Sequence, residues 1–519
     1  MTSDQQLKEL EHTLWKAAEW LWSHGWLKPS EYTFPVLGLI FLKYADAKFQ
    51  ATKQKLEANK KPDRFWTIDP LSQLDFKKEG VLFVPEEASY NYLLNQPWHA
   101  DYGKLINKAM TAIEKENEEL TGVLPKQYWL ISNDNIIRLL KTFSQLDQIE
   151  WDNFGLIYEF FMGNFEQEAG QKGWEFFTPR SLVKLIVEIL EPYKGTIFDP
   201  ACGSGGMFVQ SLNYIKEHKN SDIINAISVS WQEIKTQTIK MAKMNLAIHG
   251  LEGTINEANT MYENTFDSVW KFDYVMANPP FNLPGIDKDK LKNDPRYPYG
   301  LPTTDNGNYL WISVFASSLN ETGRAWFVMS SQAWDAGKGE MNIRKEIIDS
   351  GIVDVMVSVG SNFFYTVTLP CSLWFFDKAK VNTDRKDKIL FIDAKEIYRQ
   401  IDRAHREFTQ DQIHLLSDIV RLYRGERVDP KHELTKQYFP DGKYQDILWL
   451  CKVEDKAKVV ENNYSLNPGR YVGLTKKAED KYDFHEKLEE LNNEFIELTS
   501  QSHELEKGIV EDIKKLLVK

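Results

Sequence analysis

Apolar positions near the start of the chain recur at three- and four-residue spacing. Leu7, Leu10, Leu14, Ala17, Ala18 and Leu21 set one stripe along a helix face. Pro29-Ser30-Glu31 opens a second helix, with Ser30 placed to cap it. Residues 1–165 therefore read as an all-helical domain. From about residue 170 the period changes, and short apolar runs alternate with helical stretches. The runs are Thr196–Phe198, Ala226–Val229, Phe272–Ala277, Ala325–Met329, Val353–Val359 and Ser372–Phe376. Such alternation predicts an α/β fold, a parallel sheet with helices on both faces. After about 385 the sequence turns polar and mixed. The last stretch is helical again: Leu488, Leu491, Phe495, Leu498, Leu505, Ile509, Ile513 and Leu516 approach a heptad seam, with glutamates and lysines on the other faces. That stripe either packs on its own domain or meets a partner helix.

A chain of 519 residues is too long for a single core. Hydrophobic residues at 42% and aromatics at 13% are globular in composition. Cys202, Cys371 and Cys451 are too few and too scattered for a disulfide framework or a zinc site, so no metal is expected and a reducing setting fits. The opening MTSDQQLKELEH lacks the basic-then-apolar order of a signal peptide. The longest apolar run, Phe34–Leu42, is about half of what a membrane span needs. A soluble, cytoplasmic protein is the expectation. The net charge of −13 is awkward for a nucleic-acid enzyme. Either nucleic acid is not the substrate, or it is gripped by a local basic patch with help from a partner chain.

The densest chemistry is FDPACGSGGMF, residues 198–208, between an apolar strand and a helix from about Met207 to His218. Gly203, Gly205 and Gly206 allow a sharp turn and a close ligand approach. The spacing meets neither the dinucleotide nor the P-loop fingerprint. Asp199 and Pro200 stand beside the turn, and an acid there suits a cofactor carrying an ammonium and sugar hydroxyls. S-adenosylmethionine carries both. Glu233 closes the next strand, where an acid can accept both ribose hydroxyls. Upstream, EFFTPRS (175–181) reads as a helix start, with Thr178 as N-cap and Pro179 as first helical residue; the sharper reading folds this turn over the methionine end of the cofactor.

Strand Phe272–Ala277 ends in Asn278-Pro279-Pro280-Phe281. Two prolines straight after a central strand are costly unless a rigid loop is wanted. The Asn278 side-chain carbonyl and the Pro279 backbone carbonyl can accept both hydrogens of an NH₂ group, and Phe281 offers a flat face to a base. An adenine amine is a poor nucleophile because its lone pair is delocalised into the ring. Two acceptors pull that nitrogen towards tetrahedral geometry, once the base has been flipped out of the duplex. Positioning and electrostatics would supply the rate. The loop Asn282–Asn308 carries Lys288, Lys290, Lys292 and Arg296 and is the candidate basic patch, with a solvated surface loop as the alternative.

These residues resemble the modification (M) subunits of type I restriction-modification systems. The likeness runs through LWKAAEWL, VLGLIFLKYAD, FFTPRS, FDPACGSGG, QEIKTQTIKMAKMNLAIHG, NPPF, FFYTVTLPCSLWFFDK, FIDAKEIYRQIDRAHREFT and YSLNPGRYV. It implies a Rossmann-like S-adenosylmethionine-dependent methyltransferase sheet of seven strands, the last antiparallel, with an N-terminal helical domain and a C-terminal helical extension. Domains are then 1–165, 166–480 (catalytic) and 481–519 (assembly helix). It implies N6-adenine methylation of a specific DNA sequence chosen by a specificity (S) subunit, and contacts with duplex DNA. It further implies a second copy of the chain on the same specificity subunit, and a restriction (R) subunit. Cofactor positions carry over onto Glu175, Phe176, Phe177, Thr178, Pro179 and Arg180, onto Ser204, Gly205 and Gly206, and onto Glu233; the catalytic tetrad carries over onto Asn278–Phe281. Two positions depart from the family's pattern: Glu175, where Gln is common, and Trp231, where a small residue is usual.

Other readings remain. A stand-alone N6-adenine DNA methyltransferase would need its own target-recognition domain. A protein or RNA methyltransferase of the same fold would also suit Asn-Pro-Pro-aromatic. A non-catalytic structural subunit would keep the fold without the activity.

Overall fold

A computed structural model describes residues 13–20, 29–59, 71–148, 157–158, 160–162, 164, 178–218, 227–364, 370–401, 405–473 and 492. Glu175–Phe177, Leu7, Leu10, Leu21 and the C-terminal stripe Leu488–Leu516 lie outside them. The chain divides into a compact unit, Met1–Val472, and a second, Gly473–Lys519.

The sheet is built from β1 (Gly195–Asp199), β2 (Ile227–Glu233), β3 (Thr254–Glu257), β4 (Phe272–Ala277), β5 (Leu319–Ser330), β6 (Val353–Val359), β7 (Cys371–Asp377) and β8 (Lys388–Ala394). A small hairpin follows, β9 (Arg399–Gln400) with β10 (Arg406–Glu407), and then β11 (Cys451–Asp455) closes the sheet. Its order is β11-β8-β6-β7-β5-β4-β1-β2-β3. The expected seven strands are present as β6-β7-β5-β4-β1-β2-β3, with β7 antiparallel to both β5 and β6. Two further strands lengthen the β6 side: β8 runs parallel to β6, and β11 antiparallel to β8.

Both faces are covered, which explains why the inner strands read as unbroken apolar runs. Alternation along β5 sends Trp326 and Val328 to one face and Ala325, Phe327 and Met329 to the other. Helices Arg180–Leu190, Gly206–His218 and Gln410–Arg424 cover the first face; Asn308–Ser318 and Lys338–Asp349 cover the second. The N-terminal helices pack around helix Pro29–Asn59 into a second core, to which Met244 and Ile248 also contribute. Because that helix already includes Pro29, Ser30 falls inside its first turn rather than capping it. Among the described residues no helix is long and apolar enough to cross a membrane. The three cysteines are buried and unlinked.

Candidate active site

The strand order reverses between β1 and β4, which run parallel: β2 and β3 lie on one side, β4 and β5 on the other. A crevice at the carboxyl ends of the strands flanking such a point is the natural ligand site of an open α/β sheet. A cavity of about 410 Å³ opens there. Register accounts for its acids. Asp199 ends β1 opposite Trp231 on β2, so Glu233, two residues on, projects at the same edge.

The glycine turn is shaped by its neighbours. Gly205 holds φ +76°, and a Cβ there would lie 2.7 Å from the buried Trp231 ring. The unusual tryptophan is thus the floor on which the turn rests. Gly203 has φ +55°, and a Cβ on it would point into open space at the cavity wall. The Glu233 carboxylate accepts from three backbone N–H groups: Gly203 at 3.2 Å, Ile234 at 2.8 Å and Lys235 at 2.9 Å. That ties the turn to the end of β2. Asp199 accepts from the Ala201 N–H at 2.9 Å and is buried. Burial, and secondarily the charge of Glu233, push its carboxyl up to about 8.

Of the expected site residues, Thr178, Asp199, Pro200, Gly203, Ser204, Gly206, Glu233, Asn278 and Pro280 all line this one cavity. Gly205, Pro179, Arg180, Pro279 and Phe281 do not. Phe281 is partly buried where the apolar cores of the two sheet faces meet. Pro179 is the N-cap and Arg180 the first residue of helix Arg180–Leu190, so the cap expected of Thr178 lies one residue on. The Thr178 hydroxyl instead accepts from Asn278 Nδ2 at 2.9 Å.

The sequence reading missed one wall. Ile234, Asn259, Thr260, Met261 and Tyr262 line the cavity, as do Leu283, Ile286 and Trp311. Asn259–Tyr262 follow β3, whose TINE sequence carries no apolar run; recognising that strand would have pointed to the loop after it.

Of the four cations in the loop Asn282–Asn308, one is buried and two, Lys290 and Lys292, stay exposed. Arg296 is 1% exposed and bonds Asp294 and the carbonyls of Thr260, Met261 and Glu263. Lys290 pairs with Asp287 and Lys292 with Asp289, while Lys288 donates to the Thr304 carbonyl. Arg296 is therefore spent on folding the loop, whereas the Lys290 and Lys292 pairs are exposed and weak.

Residues 149–480 match the N-6 DNA Methylase family, and residues 10–143 match the HsdM N-terminal domain. The chain is 35% identical to the type I restriction enzyme MjaIX methylase subunit of Methanocaldococcus jannaschii, over 98% of this chain and 91% of that one. It is 33% identical to the type I restriction enzyme HindI methylase subunit of Haemophilus influenzae, over 80% and 94%. In fold it is similar to the crystal structure of a type I restriction-modification methyltransferase subunit from Streptococcus thermophilus. That match has a TM-score of 0.72 at 20% identity and covers 90% of this chain and 99% of that one. The chain belongs to the methylase subunits of type I restriction enzymes and is an adenine-specific DNA methyltransferase.

Proposed function

We propose that the cavity holds S-adenosyl-L-methionine and that Asn278–Phe281 present the N6 amine of a flipped adenine to it. One juxtaposition carries this reading: the glycine turn, both acids and Asn278 line a single crevice. The residues fit the cofactor. Gly203 leaves open space where a side chain would stand, and Asp199 and Glu233 offer two carboxylates to a ligand bearing positive charge and sugar hydroxyls. Glu233 takes the ribose hydroxyls; Asp199, Ser204 and the segment 175–180, of which Thr178 lines the cavity, serve the methionine end. When bound, the cofactor supplies an activated methyl group. The protein does the positioning. Asn278 Oδ1 and the Pro279 carbonyl accept the two amine hydrogens and favour a localised lone pair, and Phe281 stacks on the base. Pro279 and Pro280 keep the two acceptors from drifting.

The charge of −13 favours a division of labour. A specificity subunit chooses the sequence and supplies much of the phosphate grip. Two copies of this chain join each specificity subunit on duplex DNA, and a restriction subunit provides cleavage, all in the cytoplasm. Methyl transfer from labelled cofactor to DNA adenine tests both parts. The chain with its specificity subunit methylates, the chain alone is weak, and Asn278→Ala is inactive. Full activity without a partner would sink the subunit reading, and an active Asn278→Ala would sink the tetrad.

A further inference from the structure

The loop 282–308 leaves the end of β4 and returns to helix Asn308–Ser318, and its two arms are tied together at the neck. Asn282 and Asn308 bond each other reciprocally. The Asn282 N–H donates to Asn308 Oδ1 at 2.8 Å, and Asn308 Nδ2 donates back to Asn282 Oδ1 at 2.9 Å. Asn306 Nδ2 is a second donor to the same oxygen, at 3.1 Å. Further along, the Gly307 N–H donates to the Leu283 carbonyl at 2.9 Å and the Gly285 N–H to Asp305 Oδ1 at 2.8 Å. The arms run so close that a Cβ on Gly307 would lie 2.9 Å from Ile286 Cδ1 and 3.2 Å from Leu283 Cβ. Gly307 has an ordinary φ of −83°, so it is glycine for room and not for conformation.

Asn282 stands at φ +55°, in the left-handed region that asparagine tolerates better than most side chains. One residue thus turns the chain straight after Phe281 and bonds the returning arm, while Asn308, 3% exposed, anchors it. What the neck holds is the segment that follows: Leu283, Pro284, Gly285 and Ile286 all line the cavity. That segment is neither helix nor strand, so no ladder of its own fixes it. Asn282, Gly307 and Asn308 are not among the lining residues and act through it. We infer that these three are positioning residues for the cofactor: by shutting the neck they hold 283–286 as a preformed wall, which rests on the reading of this cavity as the S-adenosyl-L-methionine site. A wall already in place spares the cost of ordering it on binding.

The test uses the full chain assembled with its specificity subunit. It measures the Kd for S-adenosyl-L-methionine by calorimetry, and amide hydrogen exchange across 283–286 without cofactor. Asn282→Gly keeps the left-handed turn and the N–H but loses the acceptor; Asn282→Asp keeps turn and acceptor both. Asn282→Gly should weaken cofactor binding about three- to tenfold. Exchange across 283–286 should rise about tenfold, while strand Phe272–Ala277 exchanges as in the parent. Asn282→Asp should restore most of both. An Asn282→Gly protein with the parental Kd overturns the inference, as does one whose Kd weakens while 283–286 exchanges at the parental rate. So does Asn282→Asp binding as weakly as Asn282→Gly. If Asn282→Gly does not fold, Gly307→Ala takes its place: it leaves the polar partners intact and displaces Leu283 and Ile286, and there too a parental Kd overturns the inference. Glu233→Ala is run alongside. If it binds weakly while Asn282→Gly is unimpaired, only this inference fails; if it binds as tightly as the parent, the reading of the cavity fails first.

Discussion

At the scale of single residues, the glycine turn works through what lies beneath it. Gly205 is needed less for a ligand than for the Trp231 ring under it, whereas Gly203 faces the cavity. Asp199 shows the cost of assembling such a site before any cation arrives. Its carboxyl is pushed up to about 8, chiefly by burial and then by Glu233, against 3.8 for an ordinary aspartate. Between roughly pH 4 and pH 8 the folded, cofactor-free protein therefore keeps a proton that the unfolded chain has released. The contribution of Asp199 to stability falls as pH rises through that window, with the loss complete above about 8. Asp199→Asn retains the oxygen that accepts from Ala201 and removes the titration. Its melting temperature should match the parent near pH 4 and exceed it increasingly towards pH 8. A parent–variant difference that stays constant with pH would contradict this assignment.

At the scale of elements, legibility followed burial. β4 and β6 run to the same residues that the apolar pattern marks, because both faces of a central strand are covered. The strands that escaped lie towards the sheet's two edges. β3 is TINE and β11 is CKVED, half-polar and short, and β8, KILFIDA, sits in a stretch whose average polarity conceals it. The glycine turn and the tetrad were readable from their placement: Gly, Pro and Asn are common in any turn, but here each group directly follows an apolar strand. The wall Asn259–Tyr262 was not, since nothing in its composition separates it from a turn. Arg296 was misread for a related reason: sequence shows a cation but not the carbonyls around it. It joins the Asn282–Asn308 loop to that second wall through Thr260, Met261 and Glu263 while pairing with Asp294 at 2.6 Å. Breaking a buried pair of this kind costs about 3–5 kcal/mol. Lysine keeps the charge but lacks the planar fork. Arg296→Lys and Arg296→Ala should both lower the denaturation midpoint and weaken cofactor binding. A lysine variant equal to the parent in both would show that charge alone suffices.

At the scale of the molecule, the helical domain is not an appendage. Helix Thr236–His249, which follows Glu233 and its loop, places Met244 and Ile248 in the N-terminal core, both fully buried, while Ala242 and Leu246 belong to the core of the sheet. At its end Gly250, in the left-handed region at φ +64°, comes so close to Gly80 that a Cβ would lie 2.9 Å from the Gly80 carbonyl. One helix therefore serves two cores and begins just after a residue of the candidate cofactor site. Two cores that share a helix should unfold together, and a ligand at Glu233 should stabilise both. Ile248→Ala removes apolar volume from the helical side, at about 2–5 kcal/mol for a substitution of this class. In denaturant, the parent should show one transition reported equally by tryptophan fluorescence and helical circular dichroism. Ile248→Ala should move that whole transition to lower denaturant, and S-adenosyl-L-methionine should move it back. Two separate transitions, with Ile248→Ala shifting only one and the cofactor only the other, would mean that the domains touch without being coupled.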